Sequence, residues 1–193
     1  MLRLTRKARY IPDMPAPSLI TAADLRALSA PHKRTELVRG QLLVREPAEF
    51  RHGAVAMEIG ARLSNFVKRG QLGVVVAAET GFALARDPDT VRAPDAGFIR
   101  ASRLPDPLPR GYADGAPDLV VEVLSRDDRA GDVLAKVADW LNAGSALVWV
   151  IDPDRRLARV YRADGSESLI AADAMLDGED VLPGFTCPIR EIL

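Results

Sequence analysis

The sequence predicts an α/β fold, a single domain built on a mixed β-sheet flanked by helices, and three observations carry that expectation. Apolar residues recur at helical spacing from Arg51 to Arg69 and again in DVLAKVADWLNAG, residues 132–144. Around these stretches lie short runs rich in Val, Ile and Leu, bounded by Gly, Pro and Asp, which read as strands. The order helix, three strands, helix, strand gives a mixed sheet, because the second long helix can return the chain for a parallel neighbour. A chain of 193 residues, 48% hydrophobic, is long enough to bury a full core and fits one domain better than two.

Residues 1–17 are basic and Pro-containing, without periodicity, and are expected to form an arm; the extension runs to residue 20 and the domain spans 21–193. TAADLRALSA places Asp24 three residues after Thr21, a variant of the capping box, with Leu25 and Leu28 as a short apolar stripe, so a short helix starts there. ELVRGQLLVRE is two runs about Arg39-Gly40, a hairpin. Val55, Ile59, Leu63, Phe66 and Val67 define the long helix, with Gly70 as its stop. GVVVAAETGFALARDPDTVRAPDAGFI reads as three antiparallel strands, with turns near Thr80-Gly81 and at DPDT. Leu119–Leu124 is a buried strand, and the following helix carries Val133, Val137, Trp140 and Leu141 on one stripe before Gly144. ALVWVI is a further buried strand, turned by DPDR into RLARVYR.

Charge and cysteine content exclude several function classes. Lys+Arg 26 against Asp+Glu 27 gives a net charge of -1, so the chain as a whole is not a non-specific nucleic-acid coat, and any such surface is a local patch. Cys187 is the single cysteine and there are two histidines, which excludes an intrachain disulfide, a Cys-rich zinc site and a zinc-spaced His pair. The N-terminus has no apolar h-region and no window approaches the ~20 apolar residues of a membrane span, so the expectation is a soluble, cytoplasmic protein without membrane contact. There is no Gly-rich phosphate loop, and Ser125 lacks the glycines of a nucleophile elbow.

The chemistry is concentrated where a charge interrupts an apolar strand. In APDLVVEVLS, Glu122 sits inside a run that reads as buried, and an ionised carboxylate there needs a cation, a metal or several donors. The tripeptide APD occurs at Ala93–Asp95 and at Ala116–Asp118, each before an apolar strand, which makes Asp95 and Asp118 rim residues. On a period of two, Asp118, Val120, Glu122 and Leu124 share one face, and Leu119, Val121 and Val123 the other. If the Asp95 strand is adjacent, Asp95 and Glu122 converge, and two convergent carboxylates suit Mg²⁺ or Mn²⁺ and phosphodiester cleavage. The bland alternative is that Glu122 faces solvent or pairs with an arginine.

Lys136 lies at the border of its helix's apolar stripe, where its ammonium can reach back along the sheet toward a phosphate or remain a snorkelling surface group. Glu79 is a candidate further acid, against a solvated turn residue. His52 opens the long helix as a candidate base or DNA contact, although a lone histidine at a helix start is more often surface or structural. Glu58 and Arg62 make an i,i+4 pair of a solvated face. Arg51, Arg62, Lys68, Arg69, Arg126 and Arg129 are candidates for phosphate contact.

VRAPDAGFI, APDLVVEVLS, AKVADWLNAGSALVWVIDP and RLARVYR, with ELVRGQLL, RHGAVAMEIGARL and AAETGFAL upstream, resemble the Uma2 family within the PD-(D/E)XK nuclease superfamily. The likeness runs from about Thr21 to Pro183 and is most specific from Arg92 to Pro153. It implies a restriction-endonuclease-like fold, Mg²⁺-dependent DNA cleavage, and Asp95 and Glu122 as metal-binding acids. The superfamily pattern puts lysine two residues after the acid, where this chain has Leu124; the resemblance therefore implies that Lys136, in a K-x3-W position, takes that role. Glu36 matches the family's EL start, with no independent chemical reason to place it in the site.

Two functions follow: a metal-dependent DNA endonuclease, or a non-catalytic nuclease-fold binding or assembly module in which Lys136 pairs Glu122 directly. One site per chain cuts one strand, so a homodimer is expected.

Overall fold

The computed structural model describes residues 19–28 and 34–193, so the N-terminal extension expected over residues 1–20 lies almost wholly outside the described residues. Helix α1 (Ala22–Ala27) opens as the sequence predicts. Thr21 Oγ1 accepts from the Asp24 N–H at 3.1 Å, and the Thr21 N–H donates to the Asp24 carboxylate at 2.8 Å. Strands β1 (Arg34–Val38) and β2 (Gln41–Arg45) form the expected hairpin; Arg39 and Gly40 both have positive φ, 50° and 75°, as a tight two-residue turn requires.

Helix α2 (Phe50–Gly70) buries Val55, Ile59, Leu63 and Val67, and His52 joins that buried stripe one turn earlier. Its end differs from expectation by one residue. Gly70 is the last helical residue and Gln71 takes the left-handed conformation, φ 51°. Gly70 is there for space, since a Cβ on it would stand 2.8 Å from Leu72 Cγ.

The segment read as three antiparallel strands forms four: β3 (Gly73–Ala77), β4 (Phe82–Ala85), β5 (Thr90–Arg92) and β6 (Ala96–Arg100). They also divide between two sheets, β3 pairing with β6 and β4 with β5, both antiparallel. VRAPDAGFI is broken at Ala93-Pro94-Asp95. Pro94 has no N–H to give a ladder, and there the chain leaves one sheet for the other.

The remaining elements are β7 (Ala113–Asp114), β8 (Leu119–Val123), α3 (Ala130–Asn142), β9 (Leu147–Asp152), β10 (Leu157–Arg162), β11 (Glu167–Ala171), β12 (Met175–Asp177) and β13 (Thr186–Pro188). Among the described residues a six-stranded sheet runs β11-β10-β9-β8-β6-β3, a five-stranded sheet β2-β1-β5-β4-β7, and a small ribbon β12-β13. As expected, α3 returns the chain so that β8 and β9 are parallel, and Gly144, φ 104°, turns it after the helix.

Period two along β8 sets the layers. Leu119, Val121 and Val123 pack into the core beneath α2, with Ile59, Leu63, Trp149 and Phe185. Val120 packs on the opposite face with Val137 and Trp140 of α3. Because both faces are covered, the strand is apolar almost throughout, and each fully buried Leu, Val or Phe contributes roughly 1.5–3 kcal/mol. The smaller α1 packs Leu25 against Leu37 and Val91 of the five-stranded sheet. In β6, Gly97 admits both prolines of the APD tripeptides, since a Cβ would stand 2.9 Å from Pro117 Cγ and 3.4 Å from Pro94 Cγ.

Candidate active site

The crossing Ala93-Pro94-Asp95 is the scaffold of the site. β6 lies antiparallel to β8, with Ala96 opposite Val121, so Asp95 stands at the end of β6 beside Glu122 and Val123. Two bonds fix it there: the Asp95 N–H donates to Val121 O at 3.0 Å, and the Val123 N–H donates to Asp95 Oδ2 at 2.8 Å. His52 Nε2 lies 3.1 Å from the same Oδ2, and the Arg34 guanidinium lies 3.3 Å from Oδ1. Burial opposes ionisation of Asp95, but the hydrogen bond from His52 and the charges around it hold its pKa below the ordinary carboxylate value. Both APD aspartates stand directly before their strands, at the rim expected, and both are buried there, at 5% and 6% exposure. Asp118 has a different task, accepting from the Arg100 N–H at 2.9 Å and pairing with Arg103 at 3.1 Å.

Glu122 points to the α3 face of β8. Trp140 Nε1–H donates to its Oε1 at 2.7 Å, and Lys136 Nζ donates to its Oε2 at 2.9 Å. Burial, opposed by Lys136 and reinforced by the charge of Asp95, pushes its pKa up to about 7. Asp95, Glu122, Lys136, His52 and Arg34 line one cleft of about 350 Å³. The convergence expected of Asp95, Glu122 and Lys136 is therefore present.

Lys136 has further partners that sequence reasoning did not assign. Its Nζ donates to Ala93 O at 3.0 Å and lies 3.2 Å from Glu36 Oε1. Glu36 also accepts from the Ala93 N–H at 3.0 Å and from Arg92 at 2.9 Å, and Arg92 in turn binds Asp139 through Nε and Nη2 at 3.0 and 2.7 Å. Burial works against ionisation of Glu36, while Lys136 and Arg92 bring its pKa below the usual value. Burial likewise disfavours the Lys136 ammonium, but Glu122, Glu36 and Asp95 raise its pKa.

Other candidates separate cleanly. His52 is buried against Asp95 and not at the surface, with Nε2 on Asp95 and Nδ1 without a partner. Glu79 sits in the turn after β3, its side chain 68% exposed and 3.9 Å from Arg34; it lines a cleft of about 800 Å³ with Asp95, His52 and Arg34, but not the one that holds Glu122. Arg51 is committed to Asp154 and Pro153 O, and Arg62 to Glu58 and Glu191. Arg126 reaches Asp154 at 3.7 Å, while Lys68, Arg69 and Arg129 are exposed.

A family described as "Putative restriction endonuclease", Uma2, matches residues 22–190. The chain belongs to the Uma2 family. Among solved structures, a crystal structure of a putative nuclease belonging to DUF820 from Anabaena variabilis ATCC 29413 superposes with a TM-score of 0.79 at 21% identity, covering 90% of this chain and 97% of that one. At that identity the likeness speaks for the fold, and the α/β architecture with its restriction-endonuclease-like character is as expected. No curated protein matches.

In this Uma2 chain the donor set is suited to a hard dication. Asp95 and Glu122 offer carboxylate oxygens: Asp95 Oδ2 already takes two donors, whereas Oδ1 faces only Arg34, and each Glu122 oxygen has one side-chain donor and a lone pair to spare. Among the described residues no group of three or more His, Cys, Asp or Glu side chains is placed so that it could hold a metal ion. Mg²⁺ tolerates that, since it takes one or two carboxylates and fills the rest with water and substrate oxygens.

Proposed function

We propose that the protein is a Mg²⁺- or Mn²⁺-dependent DNA endonuclease whose site is Asp95, Glu122 and Lys136, supported by His52. The observation that carries this reading is the pairing of two buried carboxylates from adjacent strands with one lysine in a single cleft. The cation would rest on Asp95 and Glu122. When bound, it supplies charge neutralisation at the scissile phosphate and a water made more acidic.

The chain's own groups have definable tasks. Val123 N–H and His52 hold Asp95 Oδ2 in place, so the carboxylate is oriented before any ligand arrives. Lys136 Nζ provides positive charge against the phosphate as negative charge develops there. Leu124 stands where the superfamily lysine would be, and Lys136 delivers its ammonium to Glu122 from α3 instead. Glu49, Asp127, Asp128 and Asp132 line the same cleft, so DNA approaches an acidic wall and needs a cation between.

The test is conversion of supercoiled, linear and single-stranded DNA by the purified protein with Mg²⁺, Mn²⁺ or EDTA. Dication-dependent nicking supports the reading. A second reading has its own observation: Lys136 pairs Glu122 directly at 2.9 Å, as a binding or assembly module would have it. Intact Mn²⁺ binding with no cleavage under any condition selects that alternative. We further propose a cytoplasmic homodimer, which brings two sites to the two strands; light scattering should then read twice the 20.9 kDa chain mass.

A further inference from the structure

The Lys136 ammonium is surrounded by three protein oxygens: it donates to Glu122 Oε2 at 2.9 Å and to Ala93 O at 3.0 Å, and it forms an ion pair with Glu36 Oε1 at 3.2 Å. With two carboxylates against it, the ammonium has little charge to offer a phosphate until one of them lets go. The three are not equivalent. Ala93 is fixed in the crossing between the sheets, with its N–H held by Glu36. Glu36 is locked by Arg92, which Asp139 holds through two nitrogens. Glu36 and Ala93 line a separate recess of about 180 Å³, whereas Glu122 lines the Asp95 cleft; Lys136 lines both. The ammonium therefore stands between an anchored acid on one side and the acid of the cation site on the other.

We propose that Lys136 is a built-in counter-ion of Glu122 that an arriving dication displaces, and that Glu36 is the positioning residue that retains the ammonium once Glu122 is taken. The proposal rests on the reading of Asp95 and Glu122 as the cation's ligands. No covalent step is involved: Glu122 exchanges an N–H donor for the dication, and Lys136 keeps its ion pair with Glu36 and its bond to Ala93 O while the N–H released by Glu122 turns to the cleft. The direct Lys136–Glu122 pair, which otherwise favours a module without activity, is on this account the resting state of the site. Two consequences follow. Lys136 competes with the dication for Glu122, and Glu36 weakens that competition by sharing the ammonium.

The experiment is titration calorimetry of Mn²⁺ into the full chain as wild type, Lys136→Met, Glu36→Gln and the double variant, each checked for folding by circular dichroism. Loss of the competitor in Lys136→Met should tighten Mn²⁺ about tenfold, the equivalent of ~1.4 kcal/mol. Glu36→Gln should loosen Mn²⁺ severalfold, because the ammonium falls back on Glu122, yet change it by less than about twofold when Lys136 is already Met. A merely structural Glu36 would loosen Mn²⁺ equally in both backgrounds, and that result overturns its positioning role. If Lys136→Met does not fold, Lys136→Gln removes the same charge while keeping an amide donor. Mn²⁺ binding that is unchanged or weaker in the folded lysine variant overturns the exchange while leaving the cation site standing. Absence of Mn²⁺ uptake by wild type and lysine variants alike removes the Asp95 and Glu122 reading together with the exchange.

Discussion

The Trp140 indole N–H donates to Glu122 Oε1 at 2.7 Å, with both residues buried between α3 and β8. The tryptophan thus closes the apolar stripe of its helix and supplies one of the two side-chain donors that make a carboxylate tolerable there. Trp140→Phe keeps most of the aromatic packing and deletes the donor. It should cost about 1–3 kcal/mol in urea unfolding, more than the loss of one solvated hydrogen bond. A change below ~0.5 kcal/mol would show that this bond does not support Glu122.

Glu122 makes stability pH-dependent in a defined window. Its folded pKa, about 7, lies above the ordinary value of 4.5, so the folded state holds a proton there that the unfolded chain has lost. Its contribution is fully present below pH 4.5 and is lost as pH rises to about 7. Asp95 and Glu36, with lowered values, act oppositely and only at more acid pH, where falling pH removes their contribution. Relative to Glu122→Gln, wild-type stability should therefore fall from pH 4.5 to 7, by on the order of 1–3 kcal/mol. Parallel profiles for the two proteins would contradict this.

Arg92 and Arg62 contrast a buried with an exposed ion pair. Arg92 is buried between Glu36 and Asp139, and removing it leaves buried negative charge without its partner. Arg92→Met should cost about 3–5 kcal/mol in chemical denaturation. Arg62 makes two 2.8 Å contacts, to Glu58 and Glu191, but all three side chains are partly solvated. Arg62→Met should cost less than about 1 kcal/mol.

Glu79→Gln should leave both stability and Mn²⁺ affinity unchanged, within about 0.5 kcal/mol, because its side chain is 68% exposed, pairs loosely with Arg34 at 3.9 Å and does not line the cleft that holds Glu122. A large loss of Mn²⁺ binding would place Glu79 among the ligands.

The elements were legible where local pattern decides them. The Thr21 cap, the Arg39-Gly40 turn, the α2 stripe and the parallel return through α3 all depend on residues near in sequence. The pairing of the strands from β3 to β6 was not legible, because period two reports that a run is extended and not which sheet it joins; Pro94 was the available sign of a break. At the site, Asp95, Glu122 and Lys136 stood out as charges in or beside apolar patterns. Glu36 and Arg92 did not, since their hydrogen bond spans 56 residues and each lies in a short strand with ordinary polar neighbours. His52 carried an overlooked signal: it stands three residues before Val55 on the buried stripe of α2, so its ring was directed inward from the start.

The most direct measurement of the central claim is nicking of supercoiled plasmid by wild type, Asp95→Ala and Glu122→Ala, each with Mg²⁺, Mn²⁺ or EDTA, on proteins shown to be folded. Wild type should nick only with a dication, and either alanine should abolish nicking, because both carboxylates anchor and orient the cation. Wild-type nicking that persists in EDTA, or an undiminished rate in folded Glu122→Ala, would contradict the site.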